Sequence, residues 1–226
     1  MSQPQPRFDD VIHEFIDTVN AQVGVYMDAL AGFAGHTIRV ERQVSRVMKQ
    51  AKKRDPGTGE TTVVCVSYED PSTPDVVLNR IVRSDDYLSM NARGGSNERQ
   101  LAQSIIVFLY TTWELEIRPR LAAAMNVPLE SIKSNVMGDL RHVRHAILHT
   151  KGILRADAHS KLGPLGSIFQ RDSLVQPSYE EMHQLFIAVK QGCAGILLER
   201  IGMPPGEKLD VSSLRDIAIQ RLGKRS

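Results

Sequence analysis

Residues 128–152, PLESIKSNVMGDLRHVRHAILHTKG, decide how the chain is read. Pro128 lacks only a donor that would stay unpaired in a first helical turn, and Glu130 suits the positive end of a helix dipole. The spacing therefore predicts a helix that begins here and stops at Lys151 and Gly152. At about 100° per residue, Val136, Leu140, Val143 and Ile147 share one face, which can be buried. The opposite face carries Arg141, His142, His145 and His149, with Gly138 above them and Arg144 at the border. From residue 141 to residue 149 there are five titratable or cationic side chains and no carboxylate.

Three readings of that face stay open. It is a solvated face; or His145 and His149, one turn apart with His142 nearby, hold a metal ion; or Arg and His together hold nucleic-acid phosphate. Asp139 lies toward the edge of the face and the helix has no cysteine, so nothing obvious completes a metal site. The expectation is no metal and no cofactor.

These residues also resemble a family. Arg144-His145-Ala146-Ile147-Leu148-His149 fits the Arg-polar-x-x-x-His motif of HEPN domains, the all-helical domains of many prokaryotic ribonuclease toxins and defence proteins. The longer DLRHVRHAILHTKG (139–152) resembles that family's third helix, amphipathic and closed by a Lys-Gly turn. LYTTWELEIRPRLA (109–122) resembles the preceding helix of several subfamilies, with its Trp-Glu pair and its Arg-Pro-Arg. The resemblance covers about residues 98–202 and nothing before residue 90. It implies a metal-independent endoribonuclease, a toxin or phage-defence effector, with Arg144 and His149 at its centre and RNA as substrate. His145 stands where the family most often has Asn or Asp. The resemblance also implies a homodimer in which motif residues of two protomers meet, and allows for a neutralising protein partner. Some HEPN domains are non-catalytic, so the alternative is a module that binds RNA, a nucleotide or a protein partner.

The chemistry needs few parts. RNA carries its own nucleophile, the 2′-hydroxyl beside the scissile phosphate. A histidine can move protons near neutral pH, and an arginine can hold the charge of the phosphorane through its planar fork. Arg141 and His142 are expected to bind substrate beside the catalytic Arg144, His145 and His149. Along a single helix Arg144 and His149 are separated by a rise of about 7.5 Å and about 140° in projection. A two-fold pairing of the basic faces, with Gly138 permitting close approach, would assemble a composite site.

The rest of the chain frames this helix. With 226 residues, 42% apolar and only 5% aromatic, it has enough apolar residues for a core of the helical-bundle kind. Cys65 and Cys193 lie far apart and give neither a disulfide framework nor a metal motif, which favours a reducing cytosol. The start, MSQPQPRFDD, does not read as a signal peptide, and the longest apolar run, 105–110, is too short to span a bilayer, so a cytoplasmic protein without a membrane partner is expected. Residues 1–6 read as a frayed tail. Residues 8–54 are helical in pattern through Val11, Phe15, Val19, Val23, Tyr26 and Leu30, with Gly32 and Gly35 predicting a break or a kink. Between residues 39 and 54 stand seven basic residues and one acid, Glu41, a block that a polyanion would feel first. Arg42, Arg46 and Lys49, with Arg39 and Lys53, form a stripe that is either a phosphate-tracking ridge or the solvated flank of a long helix.

DPGTGE (55–60) is a turn. TTVVCVSY (61–68) has the β-branched content of a strand and needs a partner, either around residues 76–82, a segment that could equally be helical, or in a second copy. Residues 84–97 read as a linker. The helix over 98–126 is apolar nearly all round and therefore central, with Trp113 a core residue rather than a base-stacking platform. Glu114 either pairs with Arg118 in the ordinary i,i+4 way or orients an arginine toward the His149 helix. Pro119 predicts a kink. Residues 153–177 are a long connection, with Asp157 and His159 as weak site candidates. A last helix, 178–202, is capped by Ser178, and residues 210–226 read as a short basic helix in the tail. The expected fold is mainly α. A HEPN-like helical bundle spans 98–202, a long N-terminal helical extension with a small β element spans 1–97, and a tail spans 203–226.

Overall fold

The structure, a computed structural model, describes residues 7–54, 63–68, 72 and 78–200. The tail expected over 1–6, the turn over 55–60 and the tail over 203–226 lie outside them. The described residues are mainly helical, with two small two-stranded sheets. Helix α1, Phe8–Arg54, runs unbroken through Gly32 and Gly35. Each glycine costs a helix interior about 1 kcal/mol, but both stand on open surface, while Tyr26 and Val40 on either side are buried and hold the axis.

Strand β1, Val64–Tyr68, pairs antiparallel with β2, Leu78–Arg83. The strand thus finds its partner within the chain, and one argument for a second copy is removed. The segment expected as a linker forms helix α2, Ser84–Asn91, with Asp85 and Asp86 favouring its first turn. Gly94, at φ 72°, and Gly95 then turn the chain into α3, Ser96–Thr112. A Cβ on Gly95 would lie 2.5 Å from the Met90 carbonyl oxygen, so only glycine fits.

Helix α3 passes through a π turn, Trp113–Ile117, into α4, Arg118–Met125. The Arg118 N–H reaches back five residues to the Trp113 carbonyl. Pro119 has no N–H to give and its ring would crowd the carbonyl four residues earlier, and the helix widens into a π turn just before it. Asn126, left-handed at φ 54°, ends α4.

Helix α5, Asn135–His149, starts later than its sequence suggests. Pro128 heads only a short 3-10 turn, Leu129–Ser131. Ile132 is then extended and buried, and its carbonyl accepts from Arg118 Nε at 3.1 Å, so no helix can form across it. Ser134 is the N-cap. At the other end Lys151 and Gly152 are left-handed, and the Gly152 N–H donates to the Ala146 carbonyl at 3.0 Å. The long connection has short structure of its own: β3 (Ile153–Leu154) pairs with β4 (Ser173–Leu174), with α6 (Ala156–His159) between them. Ser178 and Glu181 cap the last helix, α7 (Tyr179–Arg200), reciprocally.

Helices α1, α3, α5 and α7 pack in a ring in which each touches two neighbours. Phe15 of α1 packs on Trp113, whose ring centroid is 5.6 Å away, and Tyr26 packs on Phe186 and Tyr179 of α7. Tyr26 also donates to Glu98 at the start of α3. Tyr110 of α3 faces Arg144 of α5, while Gln103, two turns earlier, faces Gly152. Gly192 of α7 faces Val136 of α5. Each neighbour therefore runs antiparallel to the next. The first half of α1 is part of this core, alongside Ile106, Leu109, Leu140, Val143, Leu185 and Val189. Glu98 is buried and satisfied by the Tyr26 hydroxyl and by the Gly94 N–H. Among the described residues no helix is long and apolar enough to cross a membrane.

Candidate functional site

The α5 face expected to be apolar is apolar in place: Val136, Leu140 and Val143 are buried, and Ile147 packs against the core. Burying that stripe turns Arg141, His142, Arg144 and His145 toward the seam with α3 on one side and the connection between α5 and α7 on the other. There they line a cleft of about 530 Å³ together with Tyr110, Asp157, Ala158 and Lys161.

Arg144 is the most constrained of them. It is half-buried, its guanidinium carbon lies 5.6 Å from the centroid of the Tyr110 ring, and its Nε is buried without a hydrogen-bond partner. A cation stacked on an aromatic face is held in orientation while its remaining N–H groups stay free to donate. The Tyr110 hydroxyl sits amid charge. Burial and Glu114 raise its pKa, and Arg141, Arg144 and Arg118 pull it the other way.

His142 is half-buried, and its pKa is lowered by burial and by the nearby cations Lys161 and Arg141, so folding favours the neutral imidazole. His145 and His149 are exposed, with ring centroids 4.7 Å apart. His149 does not line the cleft; it flanks His145 on the solvent side. Among the described residues no group of three His, Cys, Asp or Glu side chains is placed to hold a metal ion.

Asp139 has a different task from the one its position on the helical wheel suggests. It is buried at 4% exposure, and its oxygens accept from the Gly163 N–H at 2.9 and 3.0 Å and from the Leu165 N–H at 2.8 Å. The carboxylate therefore ties the connection that carries Asp157 and Lys161 to the same helix that carries the arginines. Asp157 lines the cleft, whereas His159 is turned inward to the Phe169 carbonyl at 2.9 Å.

Glu114 pairs with Arg118, both carboxylate oxygens meeting Nη1 at 2.9 and 3.1 Å, and stands across a smaller cavity from Arg141. Trp113 is buried at 2% and belongs to the core. Arg42, Arg46 and Lys49 are exposed near the far end of α1. Tyr26 stands level with the start of α3, and at 1.5 Å per residue Arg42 lies about 24 Å beyond it along the axis. The structure does not bring this ridge to the α5 cleft.

Sequence reasoning missed Tyr110, Lys161 and the structural part of Asp139. The first two reach the cleft only through tertiary packing, and Asp139 bonds to backbone more than twenty residues further on. No family model matches the chain, and no curated protein or solved structure matches it significantly.

Proposed function

We propose that the chain is a metal-independent endoribonuclease of the HEPN type, and that its helical ring is a HEPN-like bundle. The observation that carries this reading is the convergence of Arg141, His142, Arg144 and His145 on one cleft, with the Arg144 guanidinium held over Tyr110. Lys161 adds a cation and Asp157 is the one carboxylate in the lining. That balance suits a phosphodiester anion.

In this reading a histidine takes the proton of the RNA 2′-hydroxyl as its oxygen attacks the phosphorus. Arg144 holds the charge gathered on the phosphorane. The bond to the 5′-oxygen then breaks, and a second imidazole returns a proton to that leaving group. The products are a 2′,3′-cyclic phosphate and a 5′-hydroxyl. His149 and His145 are the two proton carriers, and Arg141 and His142 bind substrate. Because Arg144 faces α3 while His149 flanks the solvent side, the complete site is assembled in a homodimer, with His149 of a second copy meeting Arg144. A toxin or phage-defence effector, held in check by a neutralising protein in the cytoplasm, is the role this activity would fill.

One observation favours a second reading. His149 is exposed and outside the cleft within a single chain, as expected of a non-catalytic module that binds RNA, a nucleotide or an acidic partner on the same cationic face. Incubation of purified protein with total RNA in excess EDTA separates the two. Cleavage that persists in EDTA and vanishes in His149→Ala supports the enzyme. Intact RNA with measurable binding supports the module.

A further inference from the structure

The cationic cleft does not end at Arg141. A second cavity of about 180 Å³ opens on the other side of Tyr110 and Arg141, lined also by Glu114, Arg118, Lys133 and Gly138. Tyr110 and Arg141 line both cavities, so the two are neighbours along the seam of α3 and α5. In the smaller part three cations, Arg118, Lys133 and Arg141, face the single carboxylate of Glu114, and that carboxylate is already engaged by Arg118. Lys133 and Arg141 form no ion pair with any described residue. Gly138 keeps the floor open, and a Cβ there would meet nothing within 4 Å. Arg141 and Arg144 are one turn apart on α5, about 5–6 Å between their Cβ atoms, so their guanidinium groups can serve neighbouring anions.

We propose that the cavity between Lys133 and Arg141 is a second phosphate subsite, taking the phosphodiester next to the one held by Arg144, so that the ligand is single-stranded RNA with at least two consecutive phosphates. This rests on the reading of the larger cleft as a phosphodiester site. The subsite is too small for a duplex, and Trp113 and Met137 give it an apolar back wall against which a sugar can lie.

Non-cleavable 2′-O-methyl oligouridylates carrying one, two or three phosphates provide the test, with affinity measured against salt concentration. Wild-type protein should gain about tenfold in affinity from one phosphate to two, and the slope of log affinity against log salt should steepen by about 0.7 per phosphate neutralised. Lys133→Ala should lose most of that gain while its affinity for the one-phosphate ligand stays unchanged. Lys133→Glu should abolish that gain, and since Lys133 is exposed the fold should persist. Equal binding of one- and two-phosphate ligands by the wild type, or a full gain retained by both variants, overturns the subsite while leaving the larger cleft intact. Failure of every oligonucleotide to bind overturns the subsite and the phosphodiester reading together.

Discussion

Helix α5 and the far half of α1 carry the same kind of sequence, a cationic stripe opposite an apolar one, and the structure makes different things of them. On α5 the charges face other elements: Tyr110 lies under Arg144, and Asp139 ties down the connection that brings Asp157 and Lys161 to the cleft. On α1 the charges of Arg42, Arg46 and Lys49 face solvent. Helical spacing sets which residues share a face, but a concave wall decides whether that face can hold a ligand. Converging charges also act with less solvent screening than the same charges on a convex ridge.

The strongest way to break this comparison is to remove the proposed chemistry from α5. Arg144→Ala and His149→Ala should each lower RNA cleavage by about 10²–10⁴-fold, whereas Arg42→Ala should not approach that loss. Mixing the two inactive variants then sharpens the result. In a shared site heterodimers regain one intact Arg–His pair and part of the cleavage, and a mixture that stays inactive rules out the shared site.

The next effect is on stability. Asp139→Ala leaves the Gly163 and Leu165 N–H groups without their acceptor, and should cost about 3 kcal/mol in denaturant unfolding. An exposed ridge change such as Arg46→Ala should stay within about 0.5 kcal/mol. Equal costs would mean that the pinned connection contributes nothing special.

Reversing Arg42, Arg46 and Lys49 to Glu should weaken binding of long RNA several-fold and flatten its salt dependence, with dinucleotide affinity unchanged. Unchanged binding of long RNA would leave the ridge as a solvated flank.

The smallest effect concerns pH. Folding lowers the pKa of His142, so the unfolded chain binds the proton more readily. That contribution to stability is intact above the ordinary histidine value of about 6.5 and is lost as pH falls from there through the lowered value. His142→Gln should therefore lose less melting temperature than the wild type between pH 7 and pH 5. A parallel fall in both would assign the acid sensitivity to other groups.

The buried stripe of α5, its Lys-Gly ending, the core place of Trp113 and the partner of β1 were legible because each depends on residues close in sequence or on one clear period. The start of α5 was not, because Pro128 and Glu130 satisfy the local rules for a first turn while the burial of Ile132 and its bond to Arg118, a tertiary contact, overrides them. Gly32 and Gly35 do not break α1 for a related reason, since packing on either side of them outweighs their local cost. Of the site, the charged face could be read directly. Its walls, Tyr110 and the connection held by Asp139, come from elements that sequence spacing does not relate.

The π turn at Trp113–Ile117 gives the α3–α4 rod one residue more than a continuous α-helix would use. An extra residue in one turn offsets the phase of everything downstream by about 100°. Because of that offset Leu121 and Ala122 face the core and Arg120 meets Glu14 at 2.7 Å. Removing one residue here would let the turn close to an ordinary α turn and leave α4 in its present phase, so a Leu115 deletion should change the melting temperature little. At 70% exposure Leu115 has little to lose by substitution. Its identity is nearly free, and because the widened turn holds one residue to spare, so is its presence.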